Sequence, residues 1–254
     1  MSIMRIVSWN VNGLNSCIKQ GAFDIFYELL PDVICIQETK TKENPIVIDG
    51  YHHFYVAAEK KRFSGSLIMT LEPVIEVKEG MGIPEFDIEA RVLTVEMDKY
   101  FIVNTYAPNI VDKLERQIFR IEWSKAYQDF VSELMNKKPV ILCGDFNVCL
   151  SELDYSNDNR RRYIAEEEGF QSDERAAIED ILELGLFDAF RKLNSTKENA
   201  FTHWSNKGQG RLENKGARLD YFFVSNELEQ SIKTVKHHID ILGSDHCPIE
   251  LEVD

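Results

Sequence analysis

No apolar run in this chain approaches the length that spans a membrane, so no segment reads as a transmembrane helix. There is no leader-like start either. Met1-Ser2-Ile3-Met4-Arg5 passes at once into a strand-like run, which predicts a protein with no signal peptide and no membrane partner. Cysteine pairs with metal-like spacing are also missing. The five cysteines, Cys17, Cys35, Cys143, Cys149 and Cys247, are odd in number, and Cys35, Cys143 and Cys247 lie in or beside apolar runs. That usage predicts buried thiols in a reducing cytoplasm rather than disulfides. Ser244 precedes Asp245 and His246, but no Gly-x-Ser-x-Gly elbow surrounds it, which argues against a serine nucleophile. No stretch has linker composition. The 254 residues, 44% of them hydrophobic, are expected to form a single domain over 1–254 with a sizeable core.

Positive charge is scarce. Lys and Arg number 29 against 43 Asp and Glu, a formal charge of −14, which at face value disfavours a polyanionic partner. The charge is uneven, however. Glu166 to Asp188 holds nine acids and one arginine, whereas His203 to Arg218 holds four bases and one acid, and Arg160-Arg161-Arg162 stand together. An acidic protein can still carry a local basic contact surface.

What is present is a series of strand-like runs that end or begin in polar residues. Arg5 to Asn10 ends with Asn10 and Asn12 two apart; Asp32 to Gln37 ends in Glu38; Pro139 to Gly144 ends with Asp145 and Asn147 two apart. Alternate residues of an extended chain face the same way, so each pair can point at one spot beyond its strand. Asp220 begins a further run, and Asp245 and His246 precede the closing one. Were these two strands antiparallel to the first three, all five groups would share one rim. Asn10 and Asp145 also suggest two halves that open alike. Shorter runs at His53 to Val56, Ser66 to Thr70, Val74 to Lys78, Arg91 to Met97 and Phe101 to Tyr106 read as antiparallel strands.

Helical patterning is expected at Cys17 to Leu30, stopped by Pro31. It recurs over Asp112 to Asn136, with Phe119, Trp123, Ala126, Phe130 and Leu134 on a core stripe. Arg116 and Arg120 lie on another face of that helix as solvated or phosphate-facing cations. Asp173 to Leu184 is expected to be a helix with Ser172 as N-cap, and Phe187 to Leu193 a further helical turn.

The polar set comprises Asn10, Asn12, Glu38, Tyr106, Asn109, Asp145, Asn147, Asp220, Asp245 and His246. Oxygen donors dominate, which suits Mg²⁺ or Mn²⁺ and disfavours zinc. A carboxylate beside a histidine suits acid–base work, and a hard cation with such a pair supplies the parts of phosphoester hydrolysis.

These residues sit in Ser8-Trp9-Asn10-Val11-Asn12-Gly13-Leu14, Ile36-Gln37-Glu38-Thr39-Lys40, Phe63-Ser64-Gly65, Glu89-Ala90-Arg91-Val92, Tyr106-Ala107-Pro108-Asn109, Gly144-Asp145-Phe146-Asn147-Val148, Arg218-Leu219-Asp220-Tyr221-Phe222 and Gly243-Ser244-Asp245-His246-Cys247-Pro248-Ile249. In these motifs and their order the chain resembles the exonuclease III family of abasic-site endonucleases, within the endonuclease/exonuclease/phosphatase superfamily. The resemblance implies a four-layer α/β sandwich, two packed mixed β-sheets flanked by helices. It implies a monomeric, Mg²⁺-dependent enzyme that cleaves double-stranded DNA on the 5′ side of abasic sites and trims blocked 3′ ends. By motif, Glu38, Asn10 and Asp245 would hold the metal. Asp145 would orient or deprotonate water, and Asn147 would hold water or phosphate. His246, paired with Asp220, would bond the scissile phosphate, with either Asp145 or His246 as the base. Tyr106 and Asn109 would contact the same phosphate, and Arg91, Arg116 and more weakly Arg218 the DNA backbone.

The sequence departs from the family at Ala217, where tryptophan is common beside the flipped-out sugar, and at His203, where a bulkier aromatic is usual. Both would face the lesion, so lesion choice is where this chain is expected to differ. The acidic Asp112 and the net charge predict weaker or more salt-sensitive DNA binding. The competing expectation, a superfamily relative acting on a small phosphoester, suits the basic segment less well.

Overall fold

The computed structural model describes residues 3–109, 114–156, 170–205 and 209–254, without the side chains of 170–172. Arg160-Arg161-Arg162 and Asp112 lie outside the described residues. The strands among the described residues are β1 (Met4–Asn10), β2 (Val33–Gln37), β3 (His52–Val56), β4 (Ser66–Thr70), β5 (Glu76–Glu79), β6 (Val92–Glu96), β7 (Phe101–Tyr106), β8 (Val140–Asp145), β9 (Leu186–Asp188), β10 (Asp220–Ser225), β11 (Ile232–His237) and β12 (Ile249–Val253). The helices among the described residues are α1 (Leu14–Lys19), α2 (Ile25–Leu29), α3 (Pro84–Asp87), α4 (Leu114–Met135), α5 (Phe170–Glu183) and α6 (Ala189–Leu193). No described helix is long and apolar enough to cross a membrane.

The strands form two six-stranded mixed sheets, ordered β11-β12-β1-β2-β4-β3 and β5-β6-β7-β8-β10-β9. Alternation along each central strand explains the unbroken apolar runs. Ile6, Cys35, Ile141 and Cys143 face the other sheet, where they meet Ile68, Ile102 and Phe222. Val7, Trp9, Ile34 and Ile36 face outward onto α1 and α2, where Leu14, Cys17 and Phe26 cover them. Val140 and Leu142 face α4 and α5, under Trp123, Tyr127, Phe130 and Ile178. Strands buried on both faces need no polar alternation. The expected four-layer sandwich of helix, sheet, sheet and helix is therefore present.

The pairing places the polar ends. β1 runs parallel to β2, and β7 parallel to β8. β12 is antiparallel to β1, and β10 antiparallel to β8. The ends of β1, β2, β7 and β8 and the starts of β10 and β12 thus share one rim. The two-part rhythm needs correction. In each sheet a parallel pair, β1-β2 or β7-β8, is flanked by antiparallel strands, so β1 corresponds to β7 and β2 to β8. In register, Asn10 pairs with Gln37 and Tyr106 with Asp145. Asn10 is therefore the counterpart of Tyr106, and Asp145 the counterpart of Gln37.

Three expected elements differ. The helix over Cys17 to Leu30 is broken at Gly21 (φ 69), followed by a 3₁₀ turn at Ala22–Asp24 and then α2. Gly243 packs against Ala22 so closely that a Cβ there would lie 2.3 Å from the Ala22 Cβ, which ties this break to the loop before His246. Phe187 and Asp188 join β9 rather than a helix, and the Asp188 carboxylate caps α6 by accepting from the Arg191 amide at 3.1 Å. Finally, α5 begins at Phe170, which places Ser172 inside the helix and not at its cap.

Candidate active site

The rim gathers the polar strand ends into one cleft of about 580 Å³, lined by Glu38, Tyr106, Asn109, Asp145, Asn147, His203, Ala217, Asp245 and His246, among others. Asp145 and Asp220 meet because they are direct cross-strand partners on β8 and β10. Such a pair of buried like charges needs a cation. His246 supplies it, with Nδ1 2.8 Å from Asp220 Oδ2 and Nε2 3.7 Å from Asp145 Oδ2. The His246 backbone is fixed in turn. Its amide donates to Ser244 Oγ at 3.2 Å, and its carbonyl accepts from the Trp9 indole at 3.1 Å.

Asn10 links this trio to Glu38. Its Nδ2 donates to Glu38 Oε1 at 3.0 Å and to Asp145 Oδ2 at 2.8 Å, while its Oδ1 accepts from the Asn12 amide at 3.0 Å. Asn10 thus ties two carboxylates together as a donor to each. Asn12 donates to Asp245 Oδ2 at 2.9 Å. The turn after β2 holds Glu38 and Lys40 in left-handed backbone (φ 53 and 54), as Asn12 (φ 45) and Asn147 (φ 55) are held. Asparagine visits this conformation readily, but glutamate and lysine adopt it only where the surroundings hold them there. Here the enforcement is backbone pairing: Thr39 donates to the Gly65 carbonyl at 3.1 Å, Lys40 to that of Ser64 at 2.8 Å, and Gly13 to that of Glu38 at 2.9 Å.

Charge is distributed accordingly. Burial pushes the Glu38 carboxyl up, but the Lys40 ammonium 2.6 Å away and the Asn10 amide outweigh it and hold Glu38 below the usual carboxylate range. Burial raises Asp145, and the Asp220 and Glu38 charges add to that, against the pull of His246. His246 is also buried, yet Asp220 and Asp145 outweigh its desolvation and keep the imidazole protonated. Burial and the Glu38 charge keep the proton on Tyr106, whose phenol hydrogen-bonds Glu38. Asn147 is oriented by two bonds, its amide to Asp145 Oδ1 and its Nδ2 to the Ala107 carbonyl, both 2.9 Å.

Among the described residues, Asp145, Asp220 and His246 bring ligand atoms within 4.8 Å of one another, and with the imidazole protonated it is the carboxylate oxygens that are open to a metal ion. Asp220 Oδ1 is buried with no hydrogen-bond partner. Together with the Glu38 carboxylate, joined through Asn10, this is a hard-oxygen donor set that fits a divalent cation.

The arginines separate. Arg116 is partly exposed and places two nitrogens on Glu89, at 2.7 and 3.2 Å. Arg91 is buried; it pairs with the same Glu89 at 2.6 Å, donates to the Tyr106 carbonyl at 3.1 Å and lies over the Tyr106 ring. Both line a second cavity of about 570 Å³ that meets the first at Tyr106 and Asn109. Arg218 does not fit the expected DNA contact. It is 1% exposed and enclosed by Asp154 (2.8 Å) and Asp188 (2.6 Å), behind the cleft wall. Arg120, expected to be solvated or phosphate-facing, is also 1% exposed.

That wall is a small ladder. Isolated bridges join Tyr155 to Ala217, Ala217 to His203 and His203 to His246. The His203 and His246 rings are 4.6 Å apart, and burial with the neighbouring imidazolium pulls His203 down to about 4, so its ring is neutral. Tyr155, Lys40 and Asn12 line the cleft and carried no expected role or only a minor one. Lys40 had one readable signal, since it stands two residues after Glu38.

Buried carboxylates, a carboxylate-backed histidine and a hard-cation donor set, at a rim shared by two packed sheets, define a hydrolase of phosphoesters. A match to the Endonuclease/Exonuclease/phosphatase family over residues 7–246 agrees with that class, and the chain belongs to this family. It is 38% identical to an exodeoxyribonuclease of Bacillus subtilis (strain 168), over 99% of this chain and 100% of that protein. It is 40% identical to a DNA-(apurinic or apyrimidinic site) endonuclease of Dictyostelium discoideum, over 99% of this chain and 71% of that one. The fold superposes on an AP endonuclease from Leishmania major with a TM-score of 0.88 and 27% identity, covering 99% of this chain and 87% of the other. The protein is a hydrolase of the nuclease type.

Proposed function

We propose that this enzyme is a Mg²⁺-dependent DNA-repair phosphodiesterase that cuts double-stranded DNA on the 5′ side of abasic sites and trims blocked 3′ ends. The observation that carries the reading is the convergence of Glu38, Asp145 and His246 in one cleft, with Asn10 joining Glu38 to Asp145 and Asp220 backing His246. Relatives named for exodeoxyribonuclease and for abasic-site endonuclease activity support the substrate. The neighbouring cavity lengthens the cleft, which suits a polymer better than a small phosphoester.

In this reading Glu38, Asn10 and Asp245 would hold the ion, and the Asn10 amide would keep Glu38 and Asp145 in place beside it. When bound, the ion supplies charge neutralisation at the phosphate oxygens. Asp145 orients and deprotonates water, and Asn147 holds that water beside the phosphate. The His246 imidazolium, backed by Asp220, donates to a phosphate oxygen, as do Tyr106 and Asn109. Arg116 faces the DNA backbone, while Arg91 sets the position of Tyr106. The wall of Tyr155, Ala217 and His203 faces the lesion. We further propose that the whole chain acts as one catalytic domain and as a monomer, because both sheets of a single chain complete the site. The five free, buried cysteines support a reducing, cytoplasmic setting.

Asp145→Asn tests the assignment. Single-turnover nicking of an abasic duplex should fall about 10²- to 10⁴-fold, the usual worth of a general base. The melting temperature should stay at or above that of the wild type, because a buried charge beside Asp220 and Glu38 is removed. A folded variant that nicks at the wild-type rate would refute the role.

A further inference from the structure

Arg120 stands outside the acid and histidine cleft, on α4, and is almost completely buried. Among the described residues its carboxylate partner is Glu174 on α5, whose Oε1 is 3.7 Å from Nε, an ion pair at longer than hydrogen-bonding distance. Burial pulls the guanidinium down only to about 10, so it remains charged near neutral pH. Desolvating such a cation is costly, and an apolar side chain of similar volume often holds a fold equally well. Something other than packing with Glu174 must therefore account for the arginine.

Its two terminal nitrogens show what that is. Nη1 donates to the Pro108 carbonyl at 3.1 Å, and Nη2 to the Phe146 carbonyl at 3.0 Å. Each carbonyl belongs to the residue immediately before a cleft carboxamide, Asn109 in one case and Asn147 in the other. The two loops leave the ends of β7 and β8, which are parallel neighbours. A planar guanidinium fork has fixed geometry, so one side chain sets the separation of the two loops. The fork has a rigid base as well. It lies over the Trp123 ring, Trp123 stacks on Tyr127, and the Tyr127 hydroxyl bonds Thr105 Oγ1 at 2.7 Å.

We propose that Arg120 is a positioning residue that grips the Pro108 and Phe146 carbonyls and thereby sets Asn109 and Asn147 against the scissile phosphate and its water. The proposal rests on the phosphodiesterase reading above and adds a residue to it. Lysine at this position keeps the charge opposite Glu174 but replaces the planar fork with a single ammonium.

The test is single-turnover and steady-state nicking of an abasic duplex in Mg²⁺ by wild type and Arg120→Lys, on the natural background and on an Asn109→Ala/Asn147→Ala background. The expected kcat loss is about 10- to 100-fold, the scale of a small misplacement of reacting groups, with KM for the duplex little changed. On the double-alanine background the same substitution should cost less than about threefold, because the groups it positions are gone. If Arg120→Lys does not fold, Arg120→Met/Glu174→Gln, which removes both buried charges, is measured in the same way. A folded variant with wild-type kcat, a loss carried in KM alone, or an equal loss on both backgrounds would overturn the proposal. A wild type that fails to nick the abasic duplex would instead refute the functional reading on which it stands.

Discussion

Asp154 is fully buried, yet it remains ionised because it accepts from Arg218 Nε at 2.8 Å and Arg191 Nη2 at 2.5 Å. Burial pushes its carboxyl up, but the two guanidinium groups outweigh that and hold its pKa below the ordinary 3.8. A carboxyl depressed on folding stabilises the native state above its unfolded pKa, and that contribution is lost as the pH falls through the folded value. Asp154→Asn should therefore cost about 3–5 kcal/mol near neutral pH, since it leaves Arg218 underpaired in the interior. The difference between wild type and variant in urea unfolding should narrow as the pH drops below 3.8. A difference that stays constant with pH would contradict the pairing. The residue scale also marks what the sequence makes legible. Glu38, Asp145, Asp220 and His246 could be read because each stands at the polar end of an apolar run. The burial of Arg218 could not, because its carboxylate partners Asp154 and Asp188 lie 64 and 30 residues away. The same holds for Arg120, whose carbonyl partners are backbone atoms that carry no sequence signal.

At the scale of elements, parallel pairs β1-β2 and β7-β8 deliver their ends to one rim, and antiparallel β10 and β12 bring their starts to it. The central strands and the location of the rim followed from apolar runs and their polar ends, whereas the edge strands β9 and β11, which lack such runs, did not. The correspondence of the two halves did not, because it depends on which strands are neighbours. The break at Gly21 was equally hidden, since the close approach of Gly243 to Ala22 is a tertiary contact. One element-scale prediction concerns the ladder of Tyr155, Ala217, His203 and His246. Tryptophan at 217 would stand between Tyr155 and His203 and narrow the wall of the cleft. Ala217→Trp should raise the ratio of nicking at abasic sites to nicking of undamaged duplex, measured with both substrates in one reaction. An unchanged ratio would show that this wall does not select the lesion.

At the scale of the molecule, two sheets that are each apolar on both faces enclose one core and share one polar rim, and neither completes the cleft alone. Glu38 comes from the first sheet and Asp145 from the second, with Asn10 bridging them. With a net charge of −14, attraction to a polyanion would have to be local, and the cavity beside the cleft offers Arg116 and Lys60 for it. Binding is then expected to weaken as salt rises. The most direct measurement is gel-resolved nicking of a labelled duplex with one central abasic site. It would be run with Mg²⁺, with EDTA, and with Mg²⁺ restored after EDTA, beside a soluble small phosphoester. The account predicts a cut on the 5′ side of the site that requires Mg²⁺, disappears with EDTA and returns with the metal, and little turnover of the small ester. Turnover of the small ester with no metal-dependent nicking of the duplex would contradict it.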